Sequence, residues 1–239
     1  MGTPNPEYLR KVYFNHELDI AVFLFKFGLE TLQQDKLYRR KTFGFFTLLV
    51  MGLERFMKLI LYLHTLETEN KHMSQKDFKQ LGHNLVELRD RVIEKCFTPE
   101  YLLDLQANND LDYLKNDQAL QEMLDILSNF ATEGRYIYLD AVSQPTSNFE
   151  WPEALWEQVG TNMIQPDWGN LLKGNNLEKM VKEINRNFVI RLEKFFRALA
   201  RLFAGGVLGQ TGKVYTSKLR EFWAIQDDEL GTTKYDAVT

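Results

Sequence analysis

Two charged side chains interrupt an otherwise apolar stretch and are spaced so that they can interact. Glu54 and Lys58 lie four residues apart within residues 42–64, so a helix would place them on the same face. His83 and Asn84 follow at the next predicted helix break. Together these residues offer a carboxylate, an ammonium, an imidazole and an amide for binding a polar ligand. The structural alternative is an ordinary ion pair, worth about 0.5 kcal/mol if exposed, beside a histidine that bonds to a nearby carbonyl.

These residues belong to short motifs on neighbouring helices. The helix predicted within residues 42–64 contains G-L-E-R-F-M-K-L-I-L, and the following segment contains K-Q-L-G-H-N-L-V-E-L. A later helix carries E-G-R-Y at residues 133–136. Over about residues 10–142 this arrangement resembles the HEPN superfamily. The resemblance implies an up-and-down helical bundle, often a homodimer, that is associated with nucleotide or RNA chemistry in defence and toxin–antitoxin systems. The resulting ligand-binding candidates are Glu54, Lys58, His83, Asn84, Arg135 and Tyr136.

The sequence departs from the catalytic pattern of that superfamily. Its ribonucleases carry an Arg-x4–6-His motif, usually with a polar residue directly after the arginine. No histidine follows position 83, and only Arg10 and His16 fit the spacing, with Lys11 in the polar position. We therefore expect a non-catalytic protein that binds a nucleotide, a nucleic acid or a partner protein. The alternatives are a metal-independent ribonuclease, in which His is the base and Arg stabilises the phosphate charge, and a purely structural dimerisation bundle.

A second candidate surface lies on a long amphipathic helix predicted over residues 177–203. Residues 173–220 hold eleven Lys or Arg against three Asp or Glu, although the net charge of the chain is −4. Cations recur on one face of this helix over about five turns, which predicts salt-dependent contact with nucleic-acid phosphates. These candidates are Lys179, Lys182, Arg186, Arg197 and Arg201. Glu183 and Glu193 lie in the same row, so a solvated face with i,i+4 ion pairs is the alternative.

Other chemistries have little support in the sequence. The run GGVLGQTGKV at residues 205–214 lacks the glycine and the Ser or Thr that a phosphate loop requires, and it follows a helix rather than a strand. The four histidines form neither an HExxH motif nor the paired E-x-x-H motifs of a di-iron bundle, so we expect no metal and no cofactor. Cys96 is the single cysteine, and its apolar helical neighbours predict a buried, unreactive thiol.

The elements that must position all these residues are helices. Residues 42–64 are apolar nearly all round, which is typical of a central helix packed by several neighbours. Helical periodicity predicts helices over residues 7–32, 42–66, 75–97, 117–142 and 177–203, and no segment alternates long enough to predict a strand. Segment 75–97 is either one helix or two helices broken at Gly82. The predicted fold class is all-α, an up-and-down helical bundle with an additional long C-terminal amphipathic helix.

Composition and segment boundaries predict the organisation of the chain. We expect a HEPN-like bundle over residues 1–143, an irregular connection with Trp, Pro and Gly over 144–176, and a C-terminal part over 177–239. This last part holds the basic helix, a Gly-rich turn, a short helix and a fraying tail, packed on the same core. Charges within residues 42–64 argue against a membrane span. One cysteine and no recognisable signal peptide predict a cytoplasmic protein.

Overall fold

The structure is a computed structural model that describes residues 5–34, 42–144, 151–164 and 176–235, apart from the side chain of Arg135. Over these ranges the chain forms eleven α-helices and no strand, which confirms the predicted all-α class. The helices are α1 (Pro6–Gln33), α2 (Thr42–Glu69), α3 (Gln75–Gln80), α4 (Leu85–Cys96), α5 (Leu105–Asn116), α6 (Gln118–Thr132), α7 (Ile137–Ser143), α8 (Pro152–Ile164), α9 (Asn176–Ala204), α10 (Gly209–Lys213) and α11 (Arg220–Trp223). Short 3-10 helices cover Tyr101–Leu103, Gly134–Tyr136 and Thr216–Leu219. Within the described ranges, no helix combines the length and the apolar character that crossing a membrane requires.

The segment predicted at 75–97 is two helices rather than one. Gly82 has a φ of +71°, in the left-handed region that glycine adopts without a steric penalty. The Ser74 side chain caps the N-terminus of α3, and the Asn84 side chain accepts hydrogen bonds from the backbone N–H groups of Val86 and Glu87 at the start of α4. The glycine turn and the second cap together end one helix and begin the next.

Two segments predicted to be irregular are helical instead. Residues 108–110, which resemble a turn, lie inside α5, and α8 occupies part of the predicted connection. Trp156 of α8 is fully buried and stacks on Phe188 of α9 with ring centroids 4.1 Å apart. Val159 of α8 is also buried, so this helix packs through a short apolar face centred on the tryptophan. The rest of the connection, residues 145–150 and 165–175, lies outside the described residues.

The core is organised around α2 and α9. Phe196 of α9 stacks on Phe56 of α2 at 4.1 Å and on Phe25 of α1 at 4.2 Å between ring centroids. One cluster of buried apolar side chains runs from Phe14 in α1 to Tyr235 near the C-terminus. The C-terminal helix is therefore an interior element that shares its core with the N-terminal helices.

The segment that follows α11 is folded back on α9 and does not fray over residues 224–235. The Tyr235 hydroxyl and the Gly231 N–H each donate to the Glu193 carboxylate at 2.6 Å. Burial raises the pKa of this carboxyl, while the two hydrogen bonds act in the opposite direction. These buried hydrogen bonds hold the end of the described chain against the core.

The central stack predicts a large loss on truncation. We expect Phe56→Ala to lower the free energy of unfolding by about 3–5 kcal/mol, since it empties a fully buried aromatic site between Phe196 and Phe203. Lys179→Ala, an exposed change on α9, should cost less than about 0.5 kcal/mol. Urea unfolding followed by circular dichroism measures both, and equal losses would contradict the burial pattern.

Candidate functional site

Helices α1 and α2 approach each other closely near the middle of both. A Cβ atom at Gly52 would lie 2.7 Å from the backbone nitrogen of Phe25, and one at Gly28 would lie 2.8 Å from the Leu49 side chain. Only glycine allows backbones to approach so closely. One turn beyond this contact, from Glu17 and Met51 onward, a cavity of about 710 Å³ opens between the helices.

This α1–α2 cavity combines an apolar interior with charged groups. Positions 10, 13, 14 and 17 of α1 and positions 51, 54, 55, 58, 59 and 62 of α2 face it, as helical periodicity requires. Further lining residues come from the α2–α3 turn, α3 and the α3–α4 turn. The apolar and aromatic residues are Tyr13, Phe14, Met51, Leu59, Tyr62, Met73 and Phe78, and the others are Arg10, Glu17, Glu54, Arg55, Lys58, His72 and His83.

The structure brings together three of the residues singled out in the sequence. Lys58 Nζ donates to Glu54 Oε1 at 2.8 Å, and His83 Nδ1 lies 3.0 Å from the same oxygen. The Glu54 and Lys58 side chains are each 14% exposed, whereas the His83 side chain is 64% exposed. Charges with so little water around them interact more strongly than an exposed pair does. The turn at Gly82 places His83 over this pair, at the rim of the cavity.

Further charged groups lie around the same cavity. Arg55 pairs with Glu17 of α1, across the two helices. The hydroxyl oxygen of Tyr62 lies 2.8 Å from Nδ1 of His72. The other ring nitrogen of His72 lies 3.2 Å from the Glu7 carboxylate. Burial raises the pKa of the Tyr62 hydroxyl, so it stays protonated at neutral pH.

Several predicted site residues lie elsewhere. The Asn84 side chain is occupied in capping α4, and Asn84 does not line the cavity. Tyr136 is exposed in the 3-10 helix after α6, beside α8, while the side chain of Arg135 lies outside the described residues. Helix α1 thus bounds the cavity, and none of the described side chains of the E-G-R-Y segment lines it. His16 is exposed and does not line the cavity, whereas Arg10, the arginine of the only Arg-x4–6-His fit in the sequence, does.

The predicted basic face of α9 is not a continuous surface. Arg197 is 7% exposed, donates to the Ile225 carbonyl at 2.9 Å and pairs with Asp227 at 2.6 Å. Arg201 pairs with Asp110 of α5 at 2.8 Å. Helix α5 and the C-terminal segment cover this end of α9, so the prediction of one exposed row is wrong. Of the five cations, Lys179, Lys182 and Arg186 remain exposed.

Sequence reasoning missed most of the residues that complete the cavity. Arg10 and Glu17 stand seven residues apart on the same face of α1, but Glu17 meets Arg55 from a position 38 residues away in sequence. Likewise, His72 lies in a polar turn and meets Tyr62 only because that turn folds back on α2. Two of these residues had a local signal: Arg55 is a charge next to Glu54 in an apolar helix, and Arg10 has the Arg-x4–6-His spacing to His16.

Among the described residues, neither the single cysteine nor any group of metal-binding side chains forms a candidate site. Cys96 is buried, as expected, and burial raises the pKa of its thiol to about 12. Such a thiol is not a nucleophile at neutral pH. In the parts of the chain that the structure describes, no three or more His, Cys, Asp or Glu side chains are grouped to hold a metal ion.

Comparison with protein-family models, with curated proteins and with solved structures finds no match to this chain. The resemblance to the HEPN superfamily therefore stays a prediction from short motifs. The function has to be argued from the geometry of the α1–α2 cavity itself.

The two ion pairs of the cavity predict different losses of stability. Glu54→Gln leaves the largely buried Lys58 ammonium without its carboxylate, and we expect a loss of about 1–3 kcal/mol in the free energy of unfolding. Glu17→Gln breaks a pair that is about one-third exposed, and we expect less than about 1 kcal/mol. Urea unfolding compares the two isosteric variants. A larger loss for Glu17→Gln would show that the burial of Glu54 and Lys58 is misjudged.

Proposed function

We propose that the α1–α2 cavity binds a nucleotide, and that the protein acts as a ligand-binding module without catalysis of its own. The observation that carries this proposal is the combination of aromatic and cationic side chains in one cavity of about 710 Å³. This volume is within the usual range for pockets that hold cofactor-sized molecules. The motif resemblance to HEPN proteins supports the same class of ligand.

The aromatic part of the cavity suits a planar base. The Tyr62 ring lies 5.9 Å from the Phe14 ring and 5.9 Å from the Phe78 ring, measured between centroids. Met51 and Met73 line the cavity beside them. Aromatic side chains stack on bases, and methionine adapts its shape to an inserted ring.

The charged part of the cavity suits a phosphate group. The lining contains the cations of Arg10, Arg55 and Lys58 against the carboxylates of Glu17 and Glu54, a surplus of one positive charge before either histidine is protonated. An ammonium has three donors, so Lys58 can bind a phosphate oxygen while it keeps its bond to Glu54. The carboxylates are also acceptors for ribose hydroxyls or a base amino group.

Calorimetric titration with AMP, ATP and GTP at low and moderate salt tests this proposal. We expect Lys58→Met to weaken nucleotide binding at least tenfold, which corresponds to about 1.4 kcal/mol. Lys182→Met, a matched change at an exposed lysine of α9, should leave binding unchanged. Absence of nucleotide binding by the wild type, or equal affinities for both variants, would contradict the proposal. Degradation of labelled RNA in the presence of EDTA would instead favour the ribonuclease alternative.

The exposed face of α1 supports a homodimer as a further part of this proposal. Tyr13, Ile20, Phe23 and Phe27 are 65%, 44%, 51% and 38% exposed and share one face of the helix. With His16 and Glu30 they follow the 3–4 spacing of a helix-pairing seam. An antiparallel pair with its two-fold axis between Ile20 and Phe23 packs these two side chains on each other from both copies. The same symmetry places Tyr13 beside the partner's Glu30, which is a hydrogen-bond acceptor.

Such a seam is self-complementary, as a two-fold interface requires. Its large side chains supply ~400 Å² of the roughly 800 Å² that each partner of a standard interface buries, so flanking polar residues must supply the rest.

Light scattering coupled to gel filtration measures the mass of the protein in solution and so tests the dimer. We expect a wild-type dimer that Phe23→Glu converts to a monomer. Leu105→Glu, at an exposed leucine of α5, should leave the dimer intact. A monomeric wild type at about 100 µM would remove the dimer from the account.

A further inference from the structure

A separate cavity lies where α5, α9 and the C-terminal segment meet. Its volume is about 270 Å³, and its lining is mostly polar. We call it the α5–α9 cavity, after the two helices that contribute most of its residues. It shares no lining residue with the α1–α2 cavity.

The lining of the α5–α9 cavity holds more cations than carboxylates. Arg197 and Arg201 have side chains that are 9% and 12% exposed, and Lys194 lies with its ammonium 5.6 Å from the centre of the Tyr113 ring. Asp110 is buried, while the side chain of Asp227 is 76% exposed. Three cations against two carboxylates leave one positive charge in excess.

Two charged side chains of this lining have buried atoms that are not hydrogen-bonded. Nε of Arg197 and Oδ2 of Asp110 find no hydrogen-bond partner among the described residues. The other polar atoms of both side chains are hydrogen-bonded. Arg197 donates to the Ile225 carbonyl and to Asp227, and Asp110 accepts from Arg201. A buried polar atom left unpaired costs about 1–3 kcal/mol. Both atoms belong to residues that line the cavity, so an occupant can pair with them once the side chains around them shift slightly.

We propose that the α5–α9 cavity binds a protonated phosphate group, either inorganic phosphate or the phosphate of a small monoester. An unprotonated phosphate oxygen accepts from Arg197 Nε and from the Lys194 ammonium. The P–OH group donates to Oδ2 of Asp110. The occupant thereby satisfies both unpaired atoms and neutralises the surplus charge.

The carboxylate of Asp110 makes this site selective in a way that cations alone do not. Phosphate keeps a proton at neutral pH and sulfate does not, although the two ions have nearly the same size and shape. Only the protonated ion can donate to an acceptor such as Asp110, and an unprotonated ion would place its oxygen against the carboxylate. A site that merely traps a water molecule would show no such preference.

Thermal unfolding with sodium phosphate, glycerol 3-phosphate or sodium sulfate at pH 6 and equal ionic strength tests the inference. The lower pH is needed because a phosphate monoester, unlike inorganic phosphate, has lost most of its P–OH proton at pH 7. At a concentration ten times the dissociation constant, we expect phosphate to raise the unfolding midpoint by about 3–5 °C more than sulfate does. Lys194→Met should remove most of this difference. Lys182→Met, an exposed change on the same helix, and Lys58→Met, in the α1–α2 cavity, should retain it. A larger shift with glycerol 3-phosphate than with phosphate would identify a monoester as the ligand, and the reverse would identify the free ion.

A further variant tests the selectivity of the cavity for phosphate over sulfate. Asp110→Asn replaces the acceptor by an amide that can donate, so we expect sulfate to stabilise this variant as well as phosphate does. If Asp110→Asn does not fold, the response of Lys194→Met to phosphate and sulfate tests the inference by itself. Equal responses of the wild type to phosphate and sulfate would overturn the inference. A phosphate response that survives Lys194→Met and disappears in Lys58→Met would also overturn it, because the binding would then belong to the α1–α2 cavity.

Discussion

The stack of Phe25, Phe196 and Phe56 fixes the three long helices relative to one another. These rings come from α1, α9 and α2, and their centroids lie 4.1 to 4.2 Å apart. Removal of large aromatic surface from water is the main favourable term in such a core, and close packing allows few alternative arrangements. Helix α9 must therefore lie inside the molecule, even though many of its residues are charged.

The interior position of α9 explains the buried ion pairs. Because α5 and the C-terminal segment pack against this helix, Arg197, Arg201 and Glu193 lose most of their contact with water. Each is then paired or hydrogen-bonded by a group from those two segments. Breaking such a pair is costly, since it leaves a charge buried without compensation. The same packing that buries these charges forms the small α5–α9 cavity.

The α1–α2 cavity depends on how the first two helices meet. Gly52 and Gly28 allow a close contact between the helices, and the cavity begins one turn beyond it. The α2–α3 turn and α3 close one side and contribute His72 and Phe78. Its residues thus come from five segments between Arg10 and His83, a range that also holds the first two of the three sequence motifs.

Local periodicity predicted the features of the fold and the site that depend on residues close together in the sequence. It gave the all-α class and the grouping of Glu54 and Lys58, because i,i+4 spacing on a helix determines which side chains meet. It left open whether the helix breaks at Gly82. It failed for α8, whose apolar face around Trp156 and Val159 is short, and for Arg197 and Arg201. A helical wheel shows that cations share a face, but which neighbours cover that face depends on long-range packing. For the same reason Glu17 and His72 were missed, since their partners Arg55 and Glu7 are distant in sequence.

Methyl NMR of methionine-labelled protein tests the central claim, that the α1–α2 cavity is the ligand site, most directly. Met51 and Met73 line this cavity, whereas Met123 and Met163 lie on α6 and α8 and do not. Titration with ATP should shift the Met51 and Met73 methyl signals in a saturable way and leave those of Met123 and Met163 in place. Unchanged Met51 and Met73 signals at millimolar ATP, or saturable shifts confined to the other methionines, would contradict the account.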